Sequence, residues 1–156
     1  MMATKDFSNK QETMIAAFLG WETVVGSGAR DFHYGDLIEL QWLGECKTHM
    51  NPKKKITFYQ SHWDKIVLES LFHHRNPVLI VDNGTQNLNN TYCMFKYEFD
   101  SLDTNAAINL DYHKGNLNLL LDNLGSETVY KVIRFDKRSI VYICSIHKFK
   151  ELLEDG

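Results

Sequence analysis

Asp36, Glu45 and Lys47 combine residue types and a spacing that suit one definite chemistry. They sit in two short runs, Gly35-Asp36-Leu37-Ile38-Glu39-Leu40 and Trp42-Leu43-Gly44-Glu45-Cys46-Lys47-Thr48. Both runs read as β-strands, near enough along the chain to form a hairpin. Side chains alternate along a strand, so Glu45 and Lys47 share a face and Cys46 turns to the other, toward the core. A hairpin symmetric about Leu40-Gln41 sets Asp36 directly opposite Glu45, with Cβ atoms roughly 5 Å apart, although Leu40-Gln41 is not a favoured turn pair. Two carboxylates so placed repel each other unless a cation lies between them. Clustered carboxylates hold divalent ions, usually magnesium, which neutralise a phosphate and activate water. A lysine beside them steadies developing negative charge or orients the water. The chemistry such a set serves is hydrolysis of a phosphodiester. Glu-x-Lys is also a common short pattern and reads equally as a solvated strand face.

The flanking elements must hold these residues in place. Ser8 with Gln11 three residues on makes a capping-box pattern for a helix running to about Leu19, with Met14, Ile15, Phe18 and Leu19 as its apolar stripe. Gly20 ends it, 22–25 is a short strand, and Gly26-Ser27-Gly28-Ala29-Arg30 is a loop. Asn51-Pro52-Lys53-Lys54-Lys55 is a basic loop. Residues 59–73 form a helix with Trp63, Ile66, Val67, Ser70 and Leu71 on one face, and the apolar run 77–81 suits a buried central strand. Strands are expected over 92–99, 128–135 and 139–146, the last two joined by a turn at 136–138. Ser145 caps a last helix through Leu153, and 102–125 stays open between helix, strand and loop. Helix, three strands, helix, strand and further β structure make an α/β fold with a central mixed sheet flanked by helices.

Composition narrows the class. A chain of 156 residues with 44% hydrophobic and 24% charged residues suits one globular domain. No apolar run is long enough to cross a bilayer, and Met1 to Lys10 lacks the apolar core of a secretion signal, so a cytoplasmic protein is expected. Cys46, Cys93 and Cys144 lie far apart with no Cys-x-x-Cys pair, which speaks for buried reduced thiols and against structural zinc. The net charge of −3 argues mildly against a nucleic-acid binder. The acidic excess falls in the second half: nine Lys/Arg face nine Asp/Glu up to Asn76, and eight face eleven beyond it.

The surroundings of the acidic pair are more specific than the pair itself. A Gly-Ser-Gly loop precedes a strand opening with Asp36, its partner strand carries Glu45-Cys46-Lys47-Thr48, and a helix opens with Gln60. In this order the chain resembles the PD-(D/E)xK nucleases, and most closely the archaeal Holliday-junction resolvases among them. A looser likeness to the Gram-positive bacterial resolvases runs through Gly44-Glu45-Cys46-Lys47-Thr48 and Phe58-Tyr59-Gln60-Ser61-His62. The resemblance covers about the first half. Gly35 stands where the family usually has proline, and the second half matches nothing specific.

The resemblance implies a restriction-endonuclease-like fold in one nuclease domain over 1–156, with a catalytic core at about 8–82 and a β-rich part of unclear role at about 90–156. It implies that Asp36 and Glu45 ligate metal with the Cys46 carbonyl, and that Lys47 activates water or stabilises the transition state. Glu12 would help hold the metal or its water, Gln60 would orient the site, and Ser27 would contact the scissile strand. Magnesium is the expected ion, with manganese able to substitute. Water would attack phosphorus in line while the metal stabilises the leaving 3′ oxygen. The expected activity is that of a metal-dependent, structure-selective DNA endonuclease, a Holliday-junction resolvase of DNA recombination and repair. Two matched cuts on a four-way junction call for a two-fold homodimer. The alternatives are another nuclease of the superfamily, restriction-type or single-strand, and a non-catalytic DNA-binding module. Arg30, Lys53, Lys54 and Lys55 are candidate backbone contacts, or an ordinary solvated loop. Glu12 reads equally as an exposed first-turn acid, and Ser27 as part of a turn. His33, His49 and His62 flank the motif and read first as surface or structural groups. His73 and His74 suit a helix end, and Trp21, Trp42 and Trp63 the core or an interface.

Overall fold

The computed structural model describes residues 4–24 and 35–155. Along the chain run α1 (Thr4–Leu19), β1 (Glu22–Thr23), β2 (Leu37–Ile38), β3 (Trp42–Lys47), β4 (Lys55–Phe58), α2 (Gln60–Phe72) and β5 (Asn76–Val81). Then follow β6 (Tyr92–Phe95), β7 (Ile108–Leu110), β8 (Leu117–Leu120), β9 (Tyr130–Val132), β10 (Val141–Ser145) and α3 (Ile146–Asp155). Among the described residues, eight strands form one mixed sheet in the order β1-β2-β3-β5-β6-β10-β9-β7. β3 and β5 are parallel, joined by the crossover through α2, and β7 and β9 are parallel; the other neighbours are antiparallel. β4 and β8 pair separately. The expected α/β architecture with a central mixed sheet is present, and the β-rich second half extends the same sheet.

Strand alternation sorts the core into two layers. Trp42, Cys46, Val78, Ile80, Cys93, Phe95, Tyr142 and Cys144 face α1 and α3, meeting Ile15, Ile146, Phe149 and Leu152. Leu43, Leu79, Val81, Met94 and Ile143 face the other way, onto Trp63 and Ile66 of α2 and onto Ile56, Phe58 and Leu117 of the β4-β8 pair. The three cysteines are free and buried, as expected. Trp42 and Trp63 are core residues, and Trp21 stacks on Trp42.

Several local expectations need correction. α1 begins at Thr4, four residues before the expected cap, so Ser8 lies inside it; Asp6 in the first turn favours the helix dipole and Phe7 is half-buried. Leu71 is exposed, because α2 turns Trp63, Ile66 and Ser70 inward instead. Lys55 opens a strand instead of closing a loop. Other signals hold. Gly20 ends α1 at φ +74°, a conformation that suits glycine. Ser145 Oγ accepts the Lys148 N–H at 3.0 Å and caps α3. No helix of the described residues is long and apolar enough to cross a membrane.

Candidate active site

β2 and β3 set the site. Leu37 pairs with Gly44 and Ile38 with Leu43, the register of a hairpin symmetric about Leu40-Gln41. One step further, that register places Asp36 opposite Glu45. The two carboxyl groups are within hydrogen-bonding contact, and Asp36 Oδ2 also accepts the Cys46 N–H at 2.8 Å. Both side chains are buried. Burial first, then the charge of Glu45 and its hydrogen bond, push the Asp36 carboxyl up to about 7, against the Cys46 N–H and Lys47, which pull it down. Glu12 reaches the same point from α1. Its carboxyl contacts Asp36 and is pushed up to about 7 by burial and by the Asp36 charge, with Lys47 opposing. Asp36 is therefore the middle member of a chain of carboxyl groups, Glu12-Asp36-Glu45.

Two ammonium groups bound this chain. Lys47 Nζ lies 3.7 Å from Glu45 Oε1, and Lys65 Nζ lies 3.4 Å from Glu45 Oε2. Both lysine side chains are over a third exposed while that of Glu45 is 5% exposed, so the cations stand at the mouth and the carboxylate at the floor. Lys65 was not singled out from sequence. It comes from α2, and nothing local marks that helix as covering Glu45. His62, also on α2, lies near both lysines. Burial and the charges of Lys47 and Lys65 hold its ring down at about 4, so it is neutral at neutral pH. Its Nδ1 is buried without a partner.

Gln60 is not brought to this cluster. Its Nε2 donates to Phe135 O at 2.7 Å and to Asp64 Oδ1 at 3.0 Å, and its Oε1 accepts from Tyr112 Oη at 2.9 Å. Five residues of α-helix separate Gln60 from Lys65 by about 140° around the axis, so the two point to different faces. Gln60 ties α2 to the second half of the chain. The Cys46 thiol lies on the core face, as expected, pushed far up by burial, and its N–H donates to Asp36 Oδ2. Ser27, Arg30 and His33 lie outside the described residues.

Gly35 adopts a conformation that favours glycine. Its φ is +70°, which proline cannot adopt, and its N–H donates to Glu69 Oε1 at 3.2 Å. A Cβ there would lie 2.9 Å from both Gly44 O and Leu43 Cγ. The strand entering Asp36 is thus shaped by a glycine.

Lys53, Lys54 and Lys55 are exposed. Their loop is fastened to the end of β5: Lys53 N–H donates to Asn83 O at 2.8 Å, and Asn83 Nδ2 donates to Lys53 O at 2.8 Å. β3 and β5 are parallel, so the loop sits at the same sheet end as Glu45 and Lys47. A cleft lined by Trp21, Glu39, Gln41, Trp42, Tyr97 and Lys150 lies instead at the start of β3, about 16 Å of strand from Lys47.

The donor set suits a hard divalent cation: oxygen only, with two carboxyl groups raised well above their ordinary values by burial first and by the neighbouring carboxyl charge second. Among the described residues no three His, Cys, Asp or Glu side chains close into a ready metal cage. The carboxyl groups form a chain, and Asp36 with Glu45 is the pair best placed to share an ion. Comparison with family models, with curated proteins and with solved structures finds no match.

Proposed function

We propose that the chain is a metal-dependent, structure-selective DNA endonuclease, a Holliday-junction resolvase in its substrate choice. One observation carries the reading: Glu12, Asp36, Glu45 and Lys47, singled out from sequence, converge at the carboxyl end of the parallel pair β3-β5. That end of an open α/β sheet is where ligands bind by general rule. The order of helix, three strands, crossover helix and parallel strand agrees with the resemblance to PD-(D/E)xK nucleases.

Asp36 and Glu45 would hold a magnesium or manganese ion, with Glu12 as a further carboxylate. Bound there, the ion supplies charge neutralisation at the phosphate and a more acidic water. The chain does the rest. Asp36 and Glu12, whose carboxyl groups burial and neighbouring charge push up to about 7, would release protons on binding the ion. The Lys47 ammonium, partly exposed beside Glu45, meets a non-bridging phosphate oxygen and stabilises the charge that grows there as water attacks in line. Phosphorus gains the water oxygen and loses the 3′ oxygen, leaving a 5′-phosphate and a 3′-hydroxyl. Lys65 keeps Glu45 in place from the opposite side. Lys53 to Lys55 engage the backbone of a neighbouring arm, a contact that positions DNA without reading sequence. A two-fold homodimer supplies the second cut.

The test is cleavage of a labelled four-way junction, a linear duplex and a single strand of the same sequence, each with magnesium. Paired, symmetric nicks in the junction with little cutting of the other two are expected. Equal cutting of all three would remove the junction preference and leave a general nuclease. No cutting of any substrate with any divalent ion would remove the enzyme.

A further inference from the structure

Four buried oxygen atoms gather at the ends of β3 and β5 without hydrogen-bond partners: Gln11 Oε1, Thr48 Oγ1, Asp82 Oδ1 and Gln86 Oε1. Hydrogen bonds tie their residues into one neighbourhood. The Lys47 carbonyl accepts from Gln11 Nε2 at 2.8 Å and from the Asp82 N–H at 3.3 Å, and Thr48 is the next residue. Asp82 Oδ2 accepts the Gln86 N–H at 2.6 Å. Gln86 Nε2 donates to Phe7 O at 2.6 Å, one helical turn before Gln11 on α1.

These bonds decide the chemistry of what is left over. Each glutamine amide turns its NH2 to a carbonyl, so the remaining atom is an acceptor in both cases. Asp82 and Gln11 are each 1% exposed and Gln86 is 8% exposed. Among the described residues no ion pair reaches Asp82. His49 lies in its field, but burial, with Lys53 beside it, holds that ring below its usual value and neutral at neutral pH. A buried aspartate with an unpartnered oxygen, in the same hydrogen-bonded neighbourhood as two amide oxygens and a hydroxyl that also lack partners, suits a positively charged occupant. Oxygen-only ligands that mix one carboxylate with neutral carbonyls suit a hard ion of the calcium kind better than magnesium.

We propose that Gln11, Thr48, Asp82 and Gln86 form a second cation site, separate from the Asp36-Glu45 pair, that takes a hard metal ion such as calcium. The site braces the start of α1 against the ends of β3 and β5. Glu12 follows Gln11 directly, and the Lys47 carbonyl is the hub of the network, so the ion fixes both side chains from behind. A single carboxylate gives a weak site, with a Kd on the order of 10⁻⁴–10⁻³ M for calcium.

The test uses the full chain carrying Glu12→Gln, Asp36→Asn and Glu45→Gln, which removes the competing carboxylates. Thermal melting and calorimetric titration are run with calcium, magnesium, potassium and sodium at constant ionic strength. A saturable rise in Tm with one ion bound per chain is expected, abolished by adding Asp82→Asn and weakened at least several-fold by Thr48→Val. Circular dichroism checks that each variant is folded; if Asp82→Asn is not, the near-isosteric Thr48→Val decides. No saturable binding of any of the four ions would overturn the proposal and assign the oxygens to trapped water. Binding indifferent to Asp82→Asn in folded protein, or to Thr48→Val, would overturn it as well. Because the triple variant lacks the cleavage residues, the result does not depend on the proposed nuclease activity.

Discussion

Asp36 shows how one residue turns strand geometry into chemistry. Its carboxyl group is held by the Cys46 N–H and flanked by Glu12 and Glu45, and burial with the charge and hydrogen bond of Glu45 raises its proton affinity. In metal-free protein Asp36 and Glu12 stand near 7, against ordinary values of 3.8 and 4.5. The folded state therefore binds more protons than the unfolded chain between about pH 4 and pH 7, and stability from these groups falls as pH rises through about 7. Melting in a chelator across that range should show Tm falling toward alkaline pH, with a shallower fall in Asp36→Asn. Identical slopes would mean that the carboxyl groups are not coupled as described. Gly35 invites a second measurement. At φ +70°, with a Cβ 2.9 Å from Gly44 O, Gly35→Ala should cost about 1–3 kcal/mol in denaturant unfolding. The pairing of Asp36 with Glu45 was legible in the sequence because a period of two and a symmetric hairpin leave one register. Lys65 was not, since its contact with Glu45 depends on where α2 crosses the sheet, which no local pattern states. Gln60 misled for a similar reason: its partners Tyr112 and Phe135 lie in the second half of the chain.

At the scale of elements, α2 carries both burial and charge. Trp63 and Ile66 pack into the sheet while Lys65 reaches Glu45. Lys65→Met, which keeps the stem and removes the charge, should leave the fold intact and lower the cleavage rate by roughly 10-fold, about 1.4 kcal/mol of barrier. An unchanged rate would reduce Lys65 to a surface ion pair. α3 offers a cleaner test of a sequence signal. Ser145→Ala removes its cap and should destabilise the protein by about 1 kcal/mol, measured by denaturant unfolding. The Ser145 cap, the Gly20 stop and the apolar run of β5 were readable because each acts within a few residues, whereas the Ser8 capping-box pattern misplaced the start of α1. β4 and β8 were not. They are short, pair at a separation of about sixty residues, and gain their stability from each other and from Trp63 beneath them.

At the scale of the whole molecule, the candidate site lies at one end of one sheet. β3 and β5 end together, and around their ends stand the carboxyl chain, Lys47, Lys65, the exposed lysines of the 53–55 loop and the buried oxygens around Asp82. The acidic excess behind the net charge of −3 lies in the second half, and three of the nine first-half acids, Glu12, Asp36 and Glu45, form the carboxyl chain. The measurement that bears most directly on the account is single-turnover cleavage of a four-way junction by wild type, Asp36→Asn and Lys47→Ala, with junction binding followed in parallel. The account predicts that each variant binds the junction with near wild-type affinity and cuts it at least ~100-fold more slowly, the scale expected when a charge-stabilising group at the reacting phosphate is removed. Cleavage by Asp36→Asn at the wild-type rate would contradict it.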